Sequence, residues 1–277
     1  MPLFCDAALA ERIELAEVKL IAKASAAARR RGPAGAGFVI PVAGGVASFA
    51  EQGSPFNKVA GLGFGGVPSP TDLDELERAF AARRAPVQVE LAHLADPMVG
   101  ARLTERGYRL TSFENVLGLD LQGAPGGVIP PGIDVRPSDD DEFDAWFAVV
   151  AEGVAHRDAQ GVPSHEDFPR EVVERAERDV GAAGVVRYVA LRDGVIVGGA
   201  SFYMAEGVAL LAGAATAPAH RRRGVHSALV SARITEATAA GCDVAVVTTQ
   251  PASRAQQNVQ HRGFDLLYTR AVLVKEP

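Results

Sequence analysis

The sequence predicts an α/β (α+β) fold made of two tandem copies of one domain, each a mixed central sheet flanked by helices. Three observations predict it. Residues recur without gaps at a constant offset of 156 positions, the separation of Gly107 from Gly263: Arg106-Gly107-Tyr108 falls on Arg262-Gly263-Phe264, Leu110 on Leu266, Val116 on Val272 and Leu117 on Leu273. One element order at one offset is the mark of a repeated unit. Between the halves lies Gln122-Gly123-Ala124-Pro125-Gly126-Gly127-Val128-Ile129-Pro130-Pro131-Gly132, where Gly and Pro disfavour helix and strand alike. The expected division is therefore a first domain at 1–121, a linker at 122–132 and a second domain at 133–277. The third observation is the alternation of apolar strands and helices after residue 208.

Taken in order, the first copy opens with a helix over about 7–29, then short strands near 38–42, 46–49 and 57–61. A helix over 72–85 falls on 228–241 at the common offset, and a strand over 87–92 falls on 243–248. In the second copy Ser138 is the expected cap of a helix whose first turn holds Asp139, Asp140, Asp141 and Glu142, and whose apolar face is Phe143, Trp146, Phe147 and Val150. Neighbouring helical residues point in different directions, so these acids compensate the helix dipole rather than bind metal. A second helix is expected over about 168–180. Asp193-Gly194 and Glu206-Gly207 then read as hairpin turns between strands. The strand over 208–216 leads into the helix from Ala228, and after it come a strand over 243–249, a polar segment over 253–262, and a last strand over 266–274.

At 277 residues the chain is comfortable for two domains, each able to bury a core. A net charge of −6 gives the molecule no general attraction for nucleic acid or an anionic membrane. No apolar run approaches the length of a membrane span, and the reading is a cytoplasmic protein. Cys5 and Cys242 are far apart in sequence, so a disulfide or zinc site is not expected, and no metal is called for.

The most informative stretch is Ala219-His220-Arg221-Arg222-Arg223-Gly224-Val225-His226-Ser227, which joins the strand at 208–216 to a helix. A helix start offers free N–H groups and positive dipole to an anion, and arginines add forked donors. Gly224 lets the backbone turn and approach a ligand. A solvated helix start with no ligand is the alternative, and the strand and helix order that follows argues against it. Arg221 to His226 resembles the Arg-x-x-Gly-x-Gly/Ala signature of the GNAT superfamily of acyl-CoA-dependent N-acetyltransferases, with His226 where Gly or Ala is usual.

That resemblance implies two tandem GNAT-like domains, with acetyl-CoA as co-substrate and transfer of an acetyl or acyl group to the amine of a small-molecule or peptide acceptor. It implies that the pantetheine arm pairs with Ala214, Ala215, Thr216 and Ala217, and that Arg221, Arg222, Arg223, Gly224, Val225, His226 and Ser227 hold the pyrophosphate. Asn258 is a further expected cofactor contact. Many members carry a tyrosine four residues before the late Gly-Phe pair as general acid; here Val259 stands there. Tyr268 is the nearest later phenol, and Glu206, His156, His165 and His226 are the candidate bases. Asn57, Lys58, Trp146 and His156 either face the acceptor or pack.

The first copy has Gly65, Gly66, Val67, Pro68, Ser69 and Pro70 in the positions of Arg221 to His226, and so lacks the cradle. Gly61-Leu62-Gly63-Phe64-Gly65-Gly66 matches the dinucleotide fingerprint, yet Pro68 intervenes before the helix and Ser69-Pro70 reads as its cap and first residue. The rival to an acetyltransferase is a protein that binds acyl-CoA without transferring the acyl group. A nucleotide-dependent oxidoreductase is the third reading.

Overall fold

The computed structural model describes residues 2–32, 37–122, 129–156, 160–162 and 167–277. His165 and most of the Gly/Pro stretch lie outside them. The chain forms two compact units, unit 1 from Met1–Leu117, Gly161–Ala183 and Thr248–Pro277, and unit 2 from Gly118–Gln160 and Gly184–Val247. Neither is continuous in sequence, unlike the expected division at the linker. The last strand and helix of the chain belong with unit 1.

In chain order, α1 (Ala7–Arg31) is followed by β1 (Phe38–Val42), β2 (Gly45–Phe49), β3 (Lys58–Ala60), α2 (Pro70–Ala81), β4 (Val87–Ala92), α3 (Pro97–Glu105) and β5 (Arg109–Asp120). Then come β6 (Asp134–Pro137), α4 (Phe143–Ala155), α5 (Arg170–Ala182), β7 (Val186–Arg192), β8 (Val195–Ala205) and β9 (Val208–Thr216). The chain ends with α6 (Val225–Ala239), β10 (Val244–Thr249), α7 (Arg254–Gln260) and β11 (Asp265–Lys275).

Local chemistry sets the helix starts. Asp6 accepts the Leu9 amide at 2.9 Å ahead of α1, and Arg29, Arg30 and Arg31 sit in its last turn, where the dipole favours cations. Ser69 and Asp72 form a reciprocal capping box on α2 with Pro70 in the first turn. Ser253 caps α7 through the Gln256 amide at 3.2 Å. The expected Ser138 cap is not used. The β6–β7 ladder carries through Pro137 and Tyr188, so the Ser138 amide still donates along the strand to the Arg187 carbonyl, at 2.8 Å. A short 3₁₀ turn, Asp140–Glu142, then precedes α4, and Glu142 accepts the Asp139 amide at 3.1 Å.

The same sheet pattern occurs in each unit. In unit 1 β1 pairs antiparallel with β2 and β2 with β3, while β3 runs parallel to β4. In unit 2 β7 pairs antiparallel with β8 and β8 with β9, while β9 runs parallel to β10. Positive φ at both turn residues makes two-residue hairpins of Asp193-Gly194 (51° and 77°) and Glu206-Gly207 (57° and 71°), as expected, and also of Ala43-Gly44 (44° and 85°).

Within unit 1, β11 lies antiparallel against β4, with Val272 opposite Glu90 and Val274 opposite Gln88. This pairing is why the end of the second sequence copy folds with unit 1. Helix α5 also packs there, its Asp179 taking Arg31 at 2.8 Å while Arg31 and Arg175 both reach Glu51. The core under β1 and β2 is aromatic, with Phe38 edge-on to Phe80 at 5.0 Å.

In unit 2 the adjacent glycines of β8 let two helices close on opposite faces. A side chain at Gly198 would strike Val225 of α6 at 2.6 Å, and one at Gly199 would strike Trp146 of α4 at 2.7 Å. Trp146 is fully buried and donates its Nε1 proton to the Tyr188 carbonyl at 3.1 Å. Among the described residues no helix is long and apolar enough to cross a membrane.

Candidate functional site

Strand β9 loses one neighbour halfway along. It matches β10 only over Val208 to Leu210, opposite Val244 to Val246, so from Leu211 onward that edge has no parallel partner among the described residues. On its other edge the ladder with β8 breaks between Gly199, opposite Ala215, and Ser201, opposite Ala212. The extra residues bulge, with Gly213 at φ +60°, and Ala212, Gly213 and Ala214 are exposed while Ala215 is buried. A Cβ at Gly213 would sit 2.9 Å from Ser201 Oγ, so glycine eases both a close approach and a left-handed φ.

The open edge runs straight into the arginine loop. Ala217 donates to the Val197 carbonyl at 3.0 Å, and a 3₁₀ turn over Pro218–His220 turns the chain. Arg222 (φ 59°) and Gly224 (φ 84°) take left-handed conformations that place Val225 at the start of α6, three residues earlier than the sequence suggests. Among the described residues no side chain caps this helix, whose first turn holds the amides of Val225, His226 and Ser227. A side chain at Gly224 would meet Pro130 at 2.8 Å.

The three arginines divide into two kinds. Arg222 and Arg223 are exposed at the helix N-terminus. Arg221 is half-buried and turned inward, donating from Nη2 to the Gly153 carbonyl at 2.9 Å and from Nε to the Thr216 carbonyl at 3.4 Å. It ties the loop to the last turn of α4, whose close approach to β9 requires Gly153, where a side chain would meet Ala215 at 2.7 Å. Thr216 Oγ1 and His220 Nδ1, at the foot of the loop, are buried and have no hydrogen-bond partner among the described residues. Such atoms call for a ligand or an ordered water.

Several expected residues lie elsewhere. Glu206 sits in the β8–β9 turn, and at about 3.3 Å per strand residue it is roughly 20 Å from Gly213. Asn258 lies on α7 in unit 1. Val259, at the position of the usual tyrosine, is buried. His156 caps α4, its Nδ1 at 2.9 Å from the Glu152 carbonyl. Asn57 braces its own loop, accepting from Ala50 at 2.9 Å and donating to Glu51 at 2.8 Å.

Tyr268 is part of a buried ionic network in unit 1. Its hydroxyl donates to Glu14 at 2.7 Å, and Arg270 donates to the same oxygen at 2.7 Å. Lys58 is bound to Glu90, Arg270 also contacts Glu17, and Glu114 stands 3.9 Å from Arg270. Burial, with the Glu14 charge adding to it, raises the Tyr268 phenol well above its ordinary value. Burial and the Glu90 charge push the Glu114 carboxyl up to about 8. Against its own burial, Glu90 is held low by Lys58 and Arg270.

At the common offset Lys58 takes the place of Ala214, so where unit 2 exposes a small residue unit 1 has a side chain clamped to Glu90. The glycine loop of unit 1 is also closed. Gly63 and Gly65 donate their amides to Ala43, at 3.1 and 3.0 Å, and Ser69-Pro70 starts the helix as expected.

Sequence reasoning missed Gly213, Gly153 and Arg233. A glycine inside an apolar strand signals a bulge, and Arg233 follows Leu229 by four residues on the apolar stripe of α6. Arg233 is 1% exposed.

Residues 154–264 match the family model for the Acetyltransferase (GNAT) family. Among solved structures the chain is similar to a GCN5-related N-acetyltransferase from Kribbella flavida, at 20% identity and a TM-score of 0.65 over 92% of this chain and 95% of that one. It is similar to a tandem GNAT protein from the clavulanic acid biosynthesis pathway, at 15% identity and a TM-score of 0.60 over 91% of this chain and 87% of that one. A third likeness is to a GCN5-related N-acetyltransferase from Sphaerobacter thermophilus, at 15% identity and a TM-score of 0.56 over 96% and 93% of the two chains. No curated protein matches. The neighbours span most of the chain, so the mixed α/β architecture they share extends over both sequence copies.

Proposed function

We propose that this chain, which carries a domain of the GNAT acetyltransferase family over residues 154–264, transfers an acetyl or related acyl group from acyl-CoA to the amine of a small molecule or peptide. One observation supports this most: the bulged, half-open β9 runs directly into an uncapped helix N-terminus flanked by two exposed arginines. An extended amide-bearing arm fits the open edge from Leu211 to Ala217, and a pyrophosphate fits the amides of Val225 to Ser227 with Arg222 and Arg223 beside them. The partnerless Thr216 and His220 atoms suit a polar ligand at that place.

Arg221 then holds the loop in shape, and the bulge at Gly213 presents backbone N–H to the acyl carbonyl. The thioester supplies the activated acyl group; the protein supplies its orientation and donors aimed at the oxygen that gains charge. The first sequence copy has no equivalent site, because Lys58 and the closed glycine loop occupy the corresponding positions. Calorimetric titration with acetyl-CoA, followed by turnover with a panel of amines, tests the reading. Binding with release of free CoA supports it.

A second reading is binding of acyl-CoA without transfer. Val259 favours it, being a buried aliphatic side chain where the family's usual general acid stands. Saturable binding with no thiol release across the amine panel would select it.

A further inference from the structure

We propose that Arg233 is a positioning residue for acyl transfer, holding the bulge of β9 and polarising the Gly213 N–H toward the acyl carbonyl. The inference rests on the acyl-CoA reading above and names a residue that deepens it. Arg233 projects from the third turn of α6 into the interior of unit 2. Its Nη1 donates to the Ser201 carbonyl at 2.8 Å and to the Ala212 carbonyl at 3.2 Å, and its Nε to Leu229 at 3.1 Å. Ser201 and Ala212 are the pair beside which the β8–β9 register breaks.

A fully buried cation is costly unless its surroundings compensate. Among the described residues no carboxylate is paired with Arg233, and burial pushes its guanidinium down to about 9, which leaves it charged at neutral pH. Carbonyl dipoles therefore supply the compensation, and the interaction acts on them in turn. The Ala212 carbonyl belongs to the same peptide unit as the Gly213 N–H. No peptide bond in the described chain is cis, so the N–H points away from the carbonyl and from Arg233. Drawing electrons toward the carbonyl oxygen makes that N–H a stronger donor, the cooperative effect of linked hydrogen bonds. Residues 212–214 are exposed, so the N–H belongs to a segment a ligand can reach.

Arg233 also fixes spacing. It lies on the helix whose first turn makes the arginine loop, eight residues beyond Val225, or about 12 Å along the axis. One rigid helix thus holds both the bulge and the anion-binding end, setting the distance between acyl and phosphate contacts.

The test uses the full chain with acetyl-CoA carrying ¹³C at the thioester carbonyl, and CoA as the control without an acyl group. In the wild type, acetyl-CoA should move the Gly213 amide proton resonance downfield relative to CoA, and the bound carbonyl stretch should fall below its value in water. In Arg233→Met the stretch should return toward the value in water, and the preference for acetyl-CoA over CoA should shrink about threefold to tenfold, the worth of one hydrogen bond. Arg233→Lys, which keeps the charge, should recover part of the shift. CoA affinity should stay within about twofold, which a merely structural loss would not allow. An identical Gly213 resonance with both ligands overturns the proposal even if neither variant folds. So does an unchanged carbonyl frequency in a folded Arg233→Met. If the wild type binds neither ligand, the acyl-CoA reading itself fails and carries this inference with it.

Discussion

Replacing Arg221 by Ala should lower both stability and acyl-CoA affinity, whereas replacing Arg222 or Arg223 should lower affinity alone. The difference follows from where the guanidinium groups point. Arg221 makes one well-formed bond, Nη2 to the Gly153 carbonyl at 2.9 Å, and one at the limit, Nε to Thr216 at 3.4 Å. Hydrogen bonds from a charged donor are worth about 1.5–3 kcal/mol, and the Gly153 carbonyl is in the last turn of α4, where the dipole adds about 0.3–1 kcal/mol for a cation. Arg221 is only half-buried, so solvent screens part of this and a net loss of about 1–2 kcal/mol is expected. At about 2–4 °C per kcal/mol for a chain of this size class, Tm should fall by about 2–8 °C. Thermal unfolding followed by circular dichroism reads the first effect and calorimetry with acetyl-CoA the second. Arg222→Ala and Arg223→Ala should leave Tm within about 1 °C and weaken binding by about threefold to tenfold, with a shallower salt dependence. An Arg221→Ala protein with unchanged Tm but no binding would refute the division, because Arg221 would then be a ligand contact and not a brace.

Other perturbations are as specific. Gly224→Ala forces a side chain onto φ 84° and against Pro130 at 2.8 Å, so it should cost at least about 1–2 kcal/mol in thermal unfolding and weaken acetyl-CoA binding by displacing the first turn of α6. The Glu114 carboxyl, raised from 4.5 to about 8 on folding, holds an extra proton between those values, so its own contribution to stability is fully present below pH 4.5 and is lost as pH rises through about 8. Glu114→Gln should therefore gain Tm relative to wild type as pH goes from 6 to about 8.5, and parallel Tm profiles would contradict this. Lys58→Met leaves Glu90 buried with Arg270, at 3.7 Å, and the Gln88 amide, at 3.5 Å, to compensate it; urea unfolding should show a loss of about 3 kcal/mol with no second acyl-CoA site gained.

The repeat was legible because it is written in residue types at a fixed spacing. β5 and β11 begin at Arg109 and Asp265, which differ by the same 156 positions found in the sequence. The loop was legible because Arg222, Arg223 and Gly224 stand between an apolar strand and a helix start, whereas the like run Arg29-Arg30-Arg31-Gly32 ends a helix. What stayed hidden depends on partners distant in sequence. Nothing near Arg270 announces that β11 pairs with β4, since backbone pairing leaves no residue signature and an apolar strand fits either neighbour. The tie of Tyr268 to Glu14 leaves no local mark because the two lie 254 positions apart. Glu206 shows that nearness in sequence to β9 is distance along it, since it sits in the turn before that strand. Arg221 was grouped with its neighbours because a run of like residues does not reveal which of them turns inward.

The most direct test of the central claim is titration calorimetry of the whole protein with acetyl-CoA, with NAD and ATP as controls and Arg223→Ala beside the wild type. Binding of acetyl-CoA at one site per chain, weakened in Arg223→Ala at unchanged Tm, is the expected result. No heat from acetyl-CoA, binding of NAD instead, or full affinity in Arg223→Ala would contradict it.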